Sequence, residues 1–169
     1  FEGGETAGLD QEELGRRFLT SLDDMGKTEL SGEKVLDLEY EIQFLSHAAI
    51  EPINCTASVT DHSCEVWGPF QNQTRTLNKV KEVTELPEEQ IKVHTTYVGG
   101  GFGRKGKVDF SEQAVMISKA IKKPVQVMWS REEDIQHDFY HPASRSRFQI
   151  SLGEDGMPMK WDNQQAAAS

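Results

Sequence analysis

The stretch Ile91-Lys92-Val93-His94-Thr95-Thr96-Tyr97-Val98-Gly99-Gly100-Gly101-Phe102-Gly103-Arg104-Lys105-Gly106 decides how this 169-residue chain is read. Its first eight residues alternate, with Ile91, Val93, Thr95 and Tyr97 on one side, and predict a strand with one buried face. Four glycines in the next five residues free the backbone to take conformations, and make approaches, that side chains forbid. Asp109 then N-caps a predicted helix whose packing face is Ala114, Ile117, Ser118 and Ile121. With a strand running in and a helix running out, several amides can converge on an oxyanion or phosphate. The plain alternative is a tight turn needing positive φ, which explains one glycine better than four beside the basic Arg104-Lys105 pair.

Two familiar patterns fit this loop by coincidence. Gly101 to Gly106 satisfies G-x-G-x-x-G, but Lys92, His94 and Thr96 make the incoming strand one-sided, whereas a dinucleotide-binding fold buries that strand on both faces. Gly101 to Lys107 satisfies G-x-x-x-x-G-K, but Val108 stands where a P-loop needs a magnesium-binding hydroxyl.

Outward from the loop, Pro124 ends the connection and residues 125–129 predict a short buried strand. Residues 72–84 predict a helix with Leu77, Val80 and Val83 inward, and residues 56–59 and 65–67 flank a turn at Thr60-Asp61-His62-Ser63. Upstream, Leu36, Leu38, Tyr40, Ile42 and Phe44 alternate as one face of a half-buried strand. A capping box at Asp10 and Glu13 opens a helix burying Leu14, Phe18 and Leu22. Residues 145–152 and 157–161 form a last hairpin around Glu154-Asp155-Gly156. These elements predict an α+β fold, a layered mixed sheet with packed helices, without repeats or a second-domain linker. The expected division is a flexible N-terminus plus leading helix over residues 1–33, followed by one domain over 34–169.

A formal net charge of -10 argues against nucleic acid or anionic lipid as partner. Cys55 and Cys64 are too few for an iron–sulfur site and read as reduced, buried thiols. Five scattered histidines lack the spacing of a metal motif, so no direct metal ligand is assigned. Trp67, Trp129 and Trp161 read as core anchors, and Arg131 to Asp134 as a solvated charge run.

Several segments together resemble the molybdenum hydroxylases, the family of xanthine dehydrogenase and aldehyde oxidase. The glycine loop is similar to that family's G-G-G-F-G loop, and residues 47–57, His47-Ala48-Ala49-Ile50-Glu51-Pro52-Ile53-Asn54-Cys55-Thr56-Ala57, to its H-A-x-x-E-P-x-N-C-T-A stretch. Trp67-Gly68-Pro69-Phe70-Gln71 resembles its W-x-x-x-Q element. Arg131 to Asp134 and His137-Asp138-Phe139-Tyr140-His141-Pro142-Ala143 resemble the R-E-E-D and H-D-F-Y-R-P-A signatures of the isoquinoline oxidoreductase beta-subunit type, with His141 departing from the usual Arg.

The resemblance implies part of the molybdenum-cofactor-binding domain over residues 34–169, in a catalytic subunit that hydroxylates N-heterocycles or oxidises aldehydes with water-derived oxygen. It implies a cofactor contact by Gln71, Gly100, Gly101, Phe102, Gly103 and Arg104. In that reading Gln71 donates its amide to a molybdenum ligand, and the amides around Phe102, Gly103 and Arg104 face the metal–pterin unit. Arg104 and Lys105 offer charge-assisted bonds to a cofactor phosphate. Glu51, before Pro52, is expected to be structural and to bond local amides. By the same resemblance, Arg131 to Asp134 would brace the cofactor loops.

The implied cofactor is molybdenum–molybdopterin in its cytosine dinucleotide form, and the implied partners are the rest of the large subunit and a small 2Fe-2S subunit. The family's G-x-G-E base motif and F-R-G-x-G loop do not occur here, so the piece alone is expected to hold no cofactor tightly and to be inactive. A leader can lie outside this stretch, which leaves cytoplasm and periplasm both open. The competing classes are a stand-alone phosphate or nucleotide binder and a protein-interaction domain.

Overall fold

The computed structural model describes residues 10–27, 30 and 34–168. Their contacts divide the chain into two compact units, Ser46–Tyr140 and a second unit that joins the residues before Ser46 to those after Tyr140. This division falls elsewhere than the expected boundary at residues 33 and 34. It is discontinuous because strands from the two ends of the chain pair with each other, a long-range choice that leaves no compositional mark.

In the unit of residues 46–140, β2 (Asn54–Val59) and β3 (Cys64–Gly68) form the predicted hairpin. β4 (Ile91–Thr95) runs parallel to β3 at one edge, and β5 (Val125–Met128) pairs antiparallel with β2 at the other. The strand order β4-β3-β2-β5 therefore separates β4 from β5 by two strands, whereas a dinucleotide fingerprint joins neighbouring parallel strands. Helices α2 (Gln73–Thr84) and α3 (Asp109–Ile121) pack against this sheet and against each other. Cys55, Ala57, Val59, Cys64 and Val66 are buried in one core with Phe70, Val80, Phe110, Ala114 and Val115. Burial raises both thiols, Cys55 to about 12 and Cys64 to about 11, so they are protonated and inert at neutral pH.

Four local expectations are corrected here. Asn72 caps α2 as its position suggests, but α3 has Val108 at its N-cap and Asp109 inside, with the Asp109 carboxylate turned to Arg104. The buried stripe of α3 is Phe110, Ser111, Ala114, Val115 and Ser118, while Ile117 and Ile121 are exposed. Ala114 and Ser118 belong to both stripes, so periodicity alone leaves the helix's rotation open. β5 is an edge strand with every second residue exposed, because only one of its faces meets α3. The charged run at 131–134 is neither free nor loose. It opens a short helix, α4 (Arg131–Gln136), through a Ser130–Glu133 capping box.

The other unit holds α1 (Gln11–Asp24) and an antiparallel sheet in the order β1-β6-β7, made by β1 (Lys34–Ile42), β6 (Ser144–Leu152) and β7 (Pro158–Ala167). Asp10 caps α1 by accepting from the Glu12 amide, whereas Glu13 pairs with Arg17 instead of closing the expected box. Phe18 and Leu22 pack with Ala143 and Ala166. The expected apolar face of β1 forms but is not covered: Leu38, Tyr40, Ile42 and, on β7, Trp161 are exposed. Trp161 is thus no core anchor. Tyr40, Phe148 and Trp161 instead make an edge-to-face row along the sheet surface.

Candidate functional site

The glycine loop begins where β4 leaves the sheet. Gly99 and Glu51 hold each other at both ends: the Gly99 amide donates to Glu51 Oε2 at 2.8 Å, and the Glu51 amide donates to Gly99 O at 3.2 Å. A Cβ on Gly99 would stand 2.7 Å from Glu51 Cβ, so this approach requires glycine. The chain then turns through positive φ at Gly100 (94°), Phe102 (51°) and Gly103 (104°). The amides of Arg104 and Gly106 close the turn by donating to Gly101 O at 2.8 Å and Gly103 O at 3.0 Å. A left-handed Phe whose ring is exposed is a strained arrangement of the kind that gathers at functional sites.

Gln71 follows the end of β3 and reaches into this turn. Its Oε1 accepts from the Gly103 amide at 3.2 Å and the Lys105 amide at 3.1 Å. Two backbone donors on the oxygen fix which end of the side-chain amide is which. Nε2 is left with no protein acceptor among the described residues. A Cβ on Gly101 would lie 2.6 Å from Gln71 Oε1, so the missing side chain at Gly101 makes room for Gln71. Of the amides expected to face a ligand, those of Gly103 and Arg104 are committed within the protein. The Phe102 amide is not, and the Gly100 and Gly101 amides join it in donating to no protein group among the described residues.

Arg104 and Lys105 have a different part from the phosphate contact expected of them. Their side chains are 1% and 0% exposed and point into the protein. Arg104 grips both oxygens of Asp109 at 2.9 and 2.8 Å, and its Nε lies 3.2 Å from Asp138 Oδ1 as an ion pair without a directed hydrogen bond. Its guanidinium carbon also stands 5.3 Å from the Trp129 ring and 5.0 Å from that of Phe139. Lys105 Nζ meets Glu51 Oε2 at 2.6 Å. Two cations of one loop are thus anchored by carboxylates from two distant segments, which holds the loop's strained backbone in place.

Sequence reasoning missed these anchors. Glu51 bonds not local amides alone but Gly99, Lys105 and Asn54. Burial acts to raise its pKa, and the hydrogen bonds from Lys105, Gly99 and Asn54 overcome that and hold it below the ordinary value. Asp138 accepts from the Ser46 hydroxyl, the His47 amide, the His47 ring and the Phe139 amide. Burial again opposes ionisation, and the bonds from His47 and Ser46 prevail, so its pKa is lowered. Arg131 donates to Ala49 O and Ile50 O while pairing with Asp134, which braces the segment leading to Glu51. The signal available in the sequence was the co-occurrence of three separate motifs: His47 and Glu51 in one, Arg104 and Lys105 in the next, Asp138 in the last.

The arrangement presents uncharged donors on a glycine loop that is anchored by Glu51, Asp109 and Asp138. Residues 15–166 match the family described as the molybdopterin cofactor-binding domain, and the chain belongs to that family. It is 30% identical over 81% of its length to a membrane-bound aldehyde dehydrogenase [pyrroloquinoline-quinone] of Gluconacetobacter polyoxogenes, covering 18% of that protein. It is 27% identical over 72% of its length to the isoquinoline 1-oxidoreductase subunit beta of Brevundimonas diminuta, covering 16% of it. Among solved structures, the aldehyde oxidoreductase of Desulfovibrio gigas superposes with a TM-score of 0.60 at 16% identity, over 81% of this chain and 15% of that one. Quinoline 2-oxidoreductase of Pseudomonas putida 86 gives 0.59 at 23% identity, over 80% and 18%. These likenesses show the α+β fold. The chain spans less than a fifth of the length of these curated relatives.

Proposed function

We propose that this chain forms one wall of the cofactor site in the catalytic subunit of a molybdenum hydroxylase of the isoquinoline-oxidoreductase-like type. Gln71, Gly100, Gly101 and Phe102 meet the cofactor, Gly103 fixes the Gln71 amide, and Arg104 acts through the shape of the loop. The observation that carries the reading is the Gln71 side chain, held oxygen-inward by two backbone amides with its Nε2 left over beside the uncommitted amides of Gly100 to Phe102. Oxo, pterin and phosphate oxygens are acceptors, and a set of uncharged, preorganised donors suits them. When bound, the molybdenum–molybdopterin group supplies the redox chemistry, which puts a water-derived oxygen on an electron-poor C–H carbon of an N-heterocycle or aldehyde. The residues here bind and orient that group. The general base, the cytosine dinucleotide pocket, the rest of the large subunit and a 2Fe-2S partner subunit complete the proposal. Relatives that are themselves named as subunits support the idea of an assembly.

The test is metal analysis and turnover of the full-length complex carrying Gln71→Ala. Removing one preorganised donor is expected to lower turnover by roughly a hundredfold or more, a much larger effect than the loss of melting temperature from the two loop hydrogen bonds to Gln71 Oε1. Stoichiometric quinone in place of molybdenum overturns the reading, and the cofactor in the name of the Gluconacetobacter relative makes that assay worth running. Equal loss of turnover and stability makes Gln71 structural.

A further inference from the structure

The sheet of β1, β6 and β7 has two faces of opposite character. One, where α1 packs, carries Asp37, Glu39, Arg145 and Arg147. On the other, the register puts Leu36, Ile150 and Trp161 in one row and Leu38 beside Phe148, with Tyr40 and Ile42 further along β1. No position of that face between Leu36 and Ile42, Ser146 and Leu152, or Trp161 and Gln165 carries a charge, although charged residues make up 27% of the chain.

Leu38, Tyr40, Ile42 and Trp161 are 38%, 55%, 51% and 61% exposed. Tyr40 and Trp161 stand edge-on to Phe148, with ring centroids 5.7 and 5.9 Å away. The three rings hold one another in place, so little side-chain freedom is left to lose when the face is covered. A contiguous apolar sheet face is a surface that another layer buries.

Charge and length choose the occupant. A second copy would bring its own net charge of -10, and no Lys or Arg stands among those positions to gather anionic lipid headgroups. The chain covers 18% and 16% of two curated relatives, so most of the length of each lies outside the matched stretch. We propose that this face docks an apolar face of the remaining large subunit, with Tyr40, Phe148 and Trp161 as its central contacts. The proposal rests on the reading of the chain as part of a large subunit, and it uses no residue of the glycine loop.

The experiment is hydroxyl-radical footprinting with mass spectrometry on the full-length complex and on the 169-residue chain, at one radical dose. Tyr40 and Trp161 should be oxidised roughly tenfold more slowly in the complex, because the core of an interface is packed as tightly as a protein interior and excludes water. Equal oxidation in the two overturns the proposal. So does protection already found in the chain alone, which puts the cover within these residues or, where it grows with concentration, makes it a second copy. Protection of the complex that appears only with phosphatidylcholine vesicles assigns the face to lipid and overturns it too. Molybdenum analysis of the same complex separates the two readings. Molybdenum with an open face leaves the cofactor wall standing without the docking surface, and a covered face without molybdenum does the reverse.

Discussion

In the sheet of β2 to β5, alternating apolar residues such as Cys55, Ala57, Val59, Cys64 and Val66 are buried, and α2 and α3 pack on that sheet. In the sheet of β1, β6 and β7, the alternating set Leu38, Tyr40, Ile42 and Trp161 lies exposed, and α1 sits on the opposite, polar face. There Arg147 contacts Leu22 O at 3.3 Å, Asp23 at 2.8 Å and Glu39 at 3.1 Å. The difference teaches that a period of two assigns residues to faces without saying which face is covered. Among the described residues the larger apolar core lies in the unit that carries the glycine loop, and that unit holds the ion pair buried on both sides, Arg104 with Asp138.

The strongest break of this contrast is Arg104→Ala. It leaves Asp138 and Asp109 without their buried cation, and removing one partner of such a network costs about 3–5 kcal/mol. Urea denaturation with hydrogen exchange should show α3 destabilised, and unchanged protection there would mean the clamp is idle. Gly103→Ala is next. An alanine at φ of 104° should cost about 1–2 kcal/mol through backbone strain, and in the full-length complex cofactor occupancy should fall as well. Gly156→Ala, at φ of 78° in an exposed turn, carries comparable strain and should leave occupancy intact. Full occupancy in Gly103→Ala removes the proposed loop contact.

Acid probes the same clamps more gently. Glu51 and Asp138 have folded pKa values below their ordinary ones, so their stabilisation is present above the ordinary carboxylate range and is lost as pH falls through the depressed values. Glu39 in the other unit is lowered too, first by its hydrogen bond from Arg147, but it is more exposed, and solvent screening reduces its effect. Urea midpoints at stepped pH should fall on acidification, with a shallower fall in Glu51→Gln. An identical pH slope would remove Glu51 from the account. The smallest effect belongs to the bare sheet face, where Trp161→Ser should change stability by about 0.5 kcal/mol or less. A loss of several kcal/mol there would show that the face is packed in solution.

The α+β composition of the chain was legible from residues 34 to 161, because strand and helix periods are local properties of a sequence. The glycine loop was legible too, since four glycines around Phe102 have few uses. Misread were the features whose cause lies across the chain. Lys105 looked like a phosphate contact until Glu51 was found against it, and Arg104 likewise until Asp138 was found beside it.

What the sequence determined by itself is the loop's freedom, the order of strands and helices, and the motifs that mark the family. Tertiary structure alone decided which amides remained available, which end of Gln71 points outward, that Arg104 and Lys105 turn inward, and that the apolar side of β1 stays uncovered. The physical reason is that a hydrogen bond or ion pair is a property of two groups, and for Gln71 and Lys105 the second group stands tens of residues away.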